Sequence, residues 1–270
     1  MPTLQTDGAE LHYETGGSGP PLLLLAGMFS DSASWGPVVA PLEAQFTVIR
    51  PDNRTTGRTR HAGAARVEDM ARDAAALLEE LALGPAHIVG HSLGGALALM
   101  IADERPGLVR SVLLSCTAPL PRPHLVALFD GLCRIRAAAG SDWLRALYPW
   151  LFAPPFFEEP RNVEAAMLAA GAYPHAQSLT AMQAQVAAFA AFDPMALRPV
   201  TGLPTRAVFA GEDLIVPDAL ARARLAELGV ADAVTIPGAG HSLHWEAPEA
   251  FVSEILQFLG PKTDLQRLRS

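Results

Sequence analysis

One serine sits in a setting suited to nucleophilic chemistry. It lies in Gly90-His91-Ser92-Leu93-Gly94, a G-x-S-x-G string between the strand-like AHIVGH and the helix-like LGGALALMIADE. A nucleophile elbow must occupy such a strand-to-helix turn, because it lifts the hydroxyl clear of the sheet. The flanking glycines permit a tight turn and leave room for neighbouring elements. Ser92 then stands at a helix N-terminus, with the Leu93 amide aimed at any oxyanion formed there. The competing reading is a serine that merely caps the helix.

A hydroxyl at neutral pH needs a base, and the base needs an acceptor to orient it. Asp213 follows the strand-like TRAVFAG in GEDLIVP, at a strand end where a parallel sheet gathers its site. Glu212 is adjacent, but a turn should aim only one of the two inward. The segment after the earlier strand, SCTAPLPRPH, offers no carboxylate. His241 lies in PGAGHSLHWEAPE, between a strand and the last helix, and is the expected base. His244 is the alternative base, or a structural or pocket-lining residue. H-x-x-H spacing also suits a metal, but no third ligand accompanies it and no strong helix carries it, so no metal is expected. Cys116, at a strand end, reads as a small buried hydrophobe. No G-x-x-x-x-G-K-[ST] occurs, and no G-x-G-x-x-G opens a helix after a strand, so no cofactor is expected.

The elements that must position these residues alternate. After a hairpin turning at Asp7-Gly8, residues 1–119 read as repeated β-α-β units. They include PLLLLAG as a strand buried on both faces and RVEDMARDAAALLEELALG as the clearest helix, ended by Gly84-Pro85. SASWGPVVAPLEAQ reads as a helix with Ser32 or Ser34 as its N-cap. From 120 to 199 strand character vanishes into about four short helices, and residues 200–270 restore the alternation. The expected fold is a mostly parallel sheet with helices on both faces, its core at 1–119 and 200–270, interrupted by a helical cap at 120–199. Trp143, Tyr148, Trp150, Phe152, Phe156 and Phe157 cluster there. Trp143, Trp150 and Phe152, with Phe29 and His244, are the candidates for lining a pocket above Ser92. The insertion has six arginines against six carboxylates, so it offers no general lure for an anion, although one inward-facing arginine could bind a carboxylate.

Composition narrows the class. Of 270 residues, 50% are hydrophobic and 18% charged, enough to bury a core without disulfides or metal. The net charge of −8 argues against nucleic-acid or anionic-membrane partners. The longest apolar run, at 22–26, is far short of the roughly 18 residues a membrane span needs. Two cysteines, Cys116 and Cys133, and a start without a signal-peptide pattern fit a cytoplasmic protein.

Taken together, GHSLGG at 90–95, GEDLIVP at 211–217, GAGHSLHWEAPE at 238–249 and RPDNRTTGRT at 50–59 resemble the α/β-hydrolase superfamily, in particular its small bacterial esterase and enol-lactonase members with a helical cap. The resemblance implies Ser92 as nucleophile, His241 as general base, Asp213 as its partner, and an oxyanion hole between the amides of Leu93 and Met28. Two positions depart from the family. Ala26-Gly27 replaces a His-Gly pair whose histidine braces the loop rather than donating, so the implied hole rests on backbone amides. Thr55 stands where glycine is common, which bears on the local backbone path. The implied activity is hydrolysis of a small to medium, mainly apolar ester or lactone through an acyl-enzyme. Carbon–carbon bond hydrolysis or cofactor-free oxygenation could use the same residues, and a non-catalytic ligand-binding protein is the alternative of a different class.

Overall fold

The computed structural model describes residues 2–260. The strands are β1 (Thr3–Thr6), β2 (Ala9–Gly16), β3 (Pro21–Leu25), β4 (Thr47–Pro51), β5 (Arg60–His61), β6 (Ala86–His91), β7 (Val109–Ser115), β8 (Thr205–Ala210) and β9 (Ala233–Ile236). They form one sheet in the order β1-β2-β4-β3-β6-β7-β8-β9, with β5 paired to β2. The hairpin edge is antiparallel, and from β4 to β9 every pairing is parallel. All five residues of β3 are buried, and so are all six of β6. Strands covered on both faces need such unbroken apolar runs.

Helices α1 (Gly36–Glu43), α2 (Val67–Leu81) and α3 (Leu93–Glu104) alternate with the early strands. α2 and α3 bury their apolar faces in a cluster with Leu23, Leu25 and Ile88 on one side of the sheet. α1 packs with the C-terminal helix in a second cluster, with Leu22, Leu24 and Val89 on the other side. β3 thus sends alternate leucines to opposite layers, as a strand's period of two requires. α2 ends at Ala82, which takes a left-handed conformation at φ +49° before the expected Gly84 is reached. The residue preceding α1 also corrects the expectation. Asp31 caps the turn at Ser32–Trp35 by accepting from the Ala33 amide at 2.9 Å, while Ser32 and Ser34 cap nothing. Ser34 instead donates back to the Asp31 carbonyl.

Between β7 and β8 lie five helices rather than about four, and the first is long: α4 (Pro123–Ala139), α5 (Trp143–Leu151), α6 (Pro154–Glu158), α7 (Pro160–Ala172) and α8 (Leu179–Ala191). After β8 come α9 (Asp218–Glu227), α10 (Leu243–Glu246) and α11 (Pro248–Leu259). No described helix is long and apolar enough to cross a membrane.

Register decides where the chemistry gathers. Leu25 pairs with Gly90, His91 with Ser115, Ser115 with Val208, and Ala210 with Ile236. The loops leaving β3, β6, β7, β8 and β9 therefore emerge together at the C-terminal edge, where open α/β sheets place their sites.

Candidate active site

Ser92 sits in the turn between β6 and α3 at φ +54°, ψ −116°. Few non-glycine residues hold such a backbone, and it costs on the order of 1–3 kcal/mol unless the surroundings enforce it. Here they do. The Ser92 amide donates to the Ser115 carbonyl at 2.8 Å, and its carbonyl accepts from Gly95 N at 3.0 Å and Thr117 Oγ1 at 3.1 Å. A Cβ on Gly94 would lie 2.0 Å from the Leu25 carbonyl oxygen, so the helix can approach β3 only with glycine there. The Ser92 side chain makes no capping hydrogen bond, which removes the simple helix-cap reading.

His241 and Asp213 meet as expected, with His241 Nδ1 2.8 Å from Asp213 Oδ2 and both side chains almost wholly buried. Asp213 Oδ1 accepts from the Ile215 and Val216 amides, each at 2.8 Å, so the carboxylate is fixed by its own turn. With Nδ1–H donating to this carboxylate, the His241 lone pair lies on Nε2. Glu212 is exposed and takes no part in the pair. The histidine loop is held from below by Glu246, which accepts from Gly240 N at 2.7 Å and from Ala153 N, in the insertion, at 2.8 Å.

Cys116 is buried, as expected, and lies beside this pair. Its sulfur, an Asp213 oxygen and a His241 nitrogen lie within 4.8 Å of one another. Burial, and then the Asp213 charge, push the thiol well above its ordinary pKa, so it stays protonated and is a poor metal ligand. His244 is buried against Trp35 and His91, with ring centroids 5.1 and 4.7 Å away. Burial, and then His241, push its pKa down to about 3. His91, 4.8 Å from the His241 ring, is pushed well down by burial and by both histidines. His241 alone of the three is paired with a carboxylate.

The loop after β3 carries the Met28 amide. Among the described residues, Met28 N and Leu93 N have no acceptor, while the next amide, Phe29 N, donates to Gln185 Oε1 at 3.0 Å. Gln185 is fully buried on α8 and also accepts from Gln177 Nε2 at 3.1 Å. Those two donors fix which end of its amide is oxygen. From the core side, Asn53 Nδ2 donates to the Ala26 carbonyl at 3.2 Å, and Asp52 Oδ1 accepts from Ser32 N at 2.9 Å. The loop that lacks the family's bracing histidine is thus braced by Asn53 and Gln185. A Cβ on Gly27 would come within 3.0 Å of Ser92 Cβ, which shows how tightly the loop packs on Ser92. Thr55 does take a left-handed backbone, at φ +79°, where glycine is at ease. Sequence reasoning missed Gln185; the available signal was a polar residue on the buried face of α8, beside Met182 and Val186.

Two cavities flank Ser92, of about 760 and 520 Å³, sharing Met28, Phe129 and Ile215 in their walls. Phe29, Trp143, Phe152 and His244 line the larger one, as does His241. Trp150 lines neither and packs against the core instead. The lining positions of α5, from Trp143 and Leu144 through Leu147 and Tyr148 to Leu151, span one arc of the helix, and Trp150 falls just outside it.

Comparison with known proteins agrees with the fold. Residues 22–254 match the sequence model of the alpha/beta hydrolase family. A putative carbamate hydrolase RutD from Azorhizobium caulinodans is 31% identical over 268 residues, covering 96% of this chain and 98% of its own. A 2-(acetamidomethylene)succinate hydrolase from Mesorhizobium japonicum is 29% identical over 275 residues, covering 92% and 91%. Among solved structures, a thermophilic esterase from Thermogutta terrifontis superposes with a TM-score of 0.80 at 27% identity, covering 93% of each chain. The enol-lactonase from Burkholderia xenovorans LB400 gives 0.82 at 24% identity over 96% and 100%, a likeness of fold.

Proposed function

The chain belongs to the alpha/beta hydrolase family, and on that premise we propose that it is a serine hydrolase cleaving a small to medium, mainly apolar carboxylic ester or lactone. The observation that carries the reading is a backbone-strained Ser92 sharing one cavity with His241, whose other ring nitrogen is held by Asp213. In this proposal His241 Nε2 takes the Ser92 proton as Oγ attacks the carbonyl carbon. The Met28 and Leu93 amides receive the negative charge that forms on the carbonyl oxygen. His241 then returns the proton to the leaving alkoxide, giving an acyl-enzyme. A water deprotonated by His241 attacks the acyl carbon and releases the acid, restoring Ser92. Each step is assigned to the chain's own side chains and amides, so the proposal requires no cofactor or metal. The helices at 120–199 act as a cap that walls both cavities, and the substrate is a small molecule met in the cytoplasm.

A second reading, hydrolysis of a carbamate, is favoured by one observation: several relatives near 30% identity carry the name carbamate hydrolase. The same residues could attack a carbamate carbonyl. A panel of p-nitrophenyl esters, simple lactones and N-alkyl carbamates separates the two. Ester or lactone turnover that Ser92→Ala abolishes supports the first reading; turnover confined to carbamates replaces it with the second.

A further inference from the structure

Three arginines are buried among the described residues, and two of them are fully engaged. Arg54 is paired with Asp73 at 2.6 Å, and Arg224 is bonded to the carbonyls of Pro119, Pro194 and Leu197 as well as to Glu227. Arg122 differs. Its Nη2 donates to the Ile215 carbonyl at 2.6 Å and lies 3.3 Å from His124 Nε2, but Nε and Nη1 are buried with no partner. Among the described residues it forms no ion pair. Burial disfavours its charge, and Asp213 offsets this only from a distance. A guanidinium nonetheless keeps its proton in proteins. A buried cation with two idle donors is costly, and what offsets such a cost is an anion.

The position of Arg122 says where that anion would sit. It lines the smaller cavity, which also contains Ser92 and Leu93 and is otherwise walled largely by apolar side chains such as Phe129, Phe189 and Val216. The one carboxylate in that wall, Asp193, is turned to its own backbone, accepting from Met195 N at 2.9 Å. His241 lines the larger cavity and not the smaller. A leaving group must lie on the side of the acid that protonates it, so the larger cavity takes the leaving group and the smaller takes the acyl chain.

We propose that Arg122 binds a carboxylate on the acyl part of the substrate, so that this enzyme prefers monoesters or lactones of dicarboxylic acids over neutral esters of the same length. The proposal rests on the serine-hydrolase reading for the direction of cleavage but not for the binding itself. Hydrolysis of such a monoester consumes one water and releases the alcohol and the dicarboxylic acid.

The test uses p-nitrophenyl monoesters of succinic, glutaric and adipic acid beside neutral p-nitrophenyl esters of matching chain length. The expected result is at least a tenfold preference in kcat/KM for the best-fitting charged ester, carried mainly by KM. In Arg122→Met that preference should collapse to about one, and Arg122→Lys should recover part of it. A second arm needs no turnover: free glutarate or adipate should raise the melting temperature of Ser92→Ala protein, and not that of the Ser92→Ala, Arg122→Met double variant. Equal rates on charged and neutral esters, or a parallel loss on both in Arg122→Met, would overturn the proposal and leave Arg122 as a tether to the Ile215 carbonyl. No stabilisation by either diacid would overturn it as well. Failure of the hydrolase reading looks different, because Ser92→Ala would then keep full turnover.

Discussion

The core edge and the helical insertion build the same site by different means. On the core side each residue is dictated by close backbone packing. Gly94 lies against β3, Ser92 is bent to φ +54°, and Asp213 is tied by two amides of its own turn. Little else fits there, so residue types are fixed by local geometry. The insertion is looser, and α7 has no buried residue at all. Its contributions are single side chains reaching core loops over long sequence separations: Gln185 to Phe29, Tyr173 to Asp31 at 2.7 Å, and Arg122 to Ile215. The contrast teaches that on the proposed reading the core would supply the reacting groups, while the insertion braces the loop after β3 and shares in walling the cavities. Damage to the core should therefore abolish turnover, whereas damage to the insertion should tune it.

The largest effect should come from the acid. Asp213→Asn leaves a side chain of the same size but deprives the imidazole of its orienting acceptor, and should reduce kcat by roughly 10³–10⁴ with the fold intact. Glu212→Gln, one residue away and solvent-exposed, should change kcat less than about twofold. Steady-state kinetics on any turned-over ester compares the two. If Glu212→Gln were the crippling change, the core would not aim Asp213 as described.

Next comes the brace. Gln185→Met keeps volume but removes the acceptor that holds Phe29 N, and so loosens the loop carrying the Met28 amide. We expect kcat to fall by about tenfold to a hundredfold with KM little changed, less than the loss of an oxyanion donor outright. Affinity for a trifluoromethyl ketone, which imitates the tetrahedral adduct, should fall in parallel. An unchanged kcat would mean that Asn53 holds the loop alone and the insertion braces nothing there.

Much of this division was legible in the sequence, and the illegible part shares one cause. PLLLL and AHIVGH announce buried strands because burial on both faces requires unbroken apolar runs, and GHSLGG announces its turn because only glycine fits beside β3. Asp213 and His241 follow from strand ends. Gln185, and which of the six arginines of the insertion faces inward, are not legible, because each is defined by a partner more than ninety positions away, and no local periodicity records such a contact. Asp31 was missed as a cap because Ser32 and Ser34 occupy similar capping positions, and the carboxylate is the stronger acceptor. Trp150 looked like a pocket residue because α5 is aromatic on more than one side, and only its rotation decides which rings face inward.

The histidine cluster gives an effect of intermediate size that belongs to the core. His91 and His244 are held neutral when folded, with pKa values below the roughly 6.5 of an unfolded chain. The unfolded state therefore takes up protons that the folded state refuses. Their contribution to stability is complete above about pH 6.5 and is lost as pH falls from there toward the folded value of about 3 for His244. Each should lower unfolding free energy by about 1.4 kcal/mol per pH unit within that window. Urea denaturation at pH 7.5, 6 and 5 measures the slope, and His244→Gln should reduce it. A flat profile would contradict the burial described.

The smallest effect is expected at Thr55, where a β-branched residue holds φ +79° with its hydroxyl buried and unpartnered. Thr55→Gly relieves that strain, offset in part by the greater freedom glycine gives the unfolded chain, for a net gain of about 1 kcal/mol. The melting temperature should rise by about 2–4 °C with activity unaffected. A fall in melting temperature would show that the threonine methyl contributes more packing than the backbone strain removes.

The central claim is that the core edge makes Ser92 a nucleophile, and covalent labelling measures it most directly. The protein is treated with a fluorophosphonate, and the modified peptide is located by mass spectrometry. The account predicts one phosphonyl group on Ser92, absent in Ser92→Ala, and formed at least a hundredfold more slowly in Asp213→Asn. A protein that stays unlabelled, or that carries the label on another serine, would contradict it.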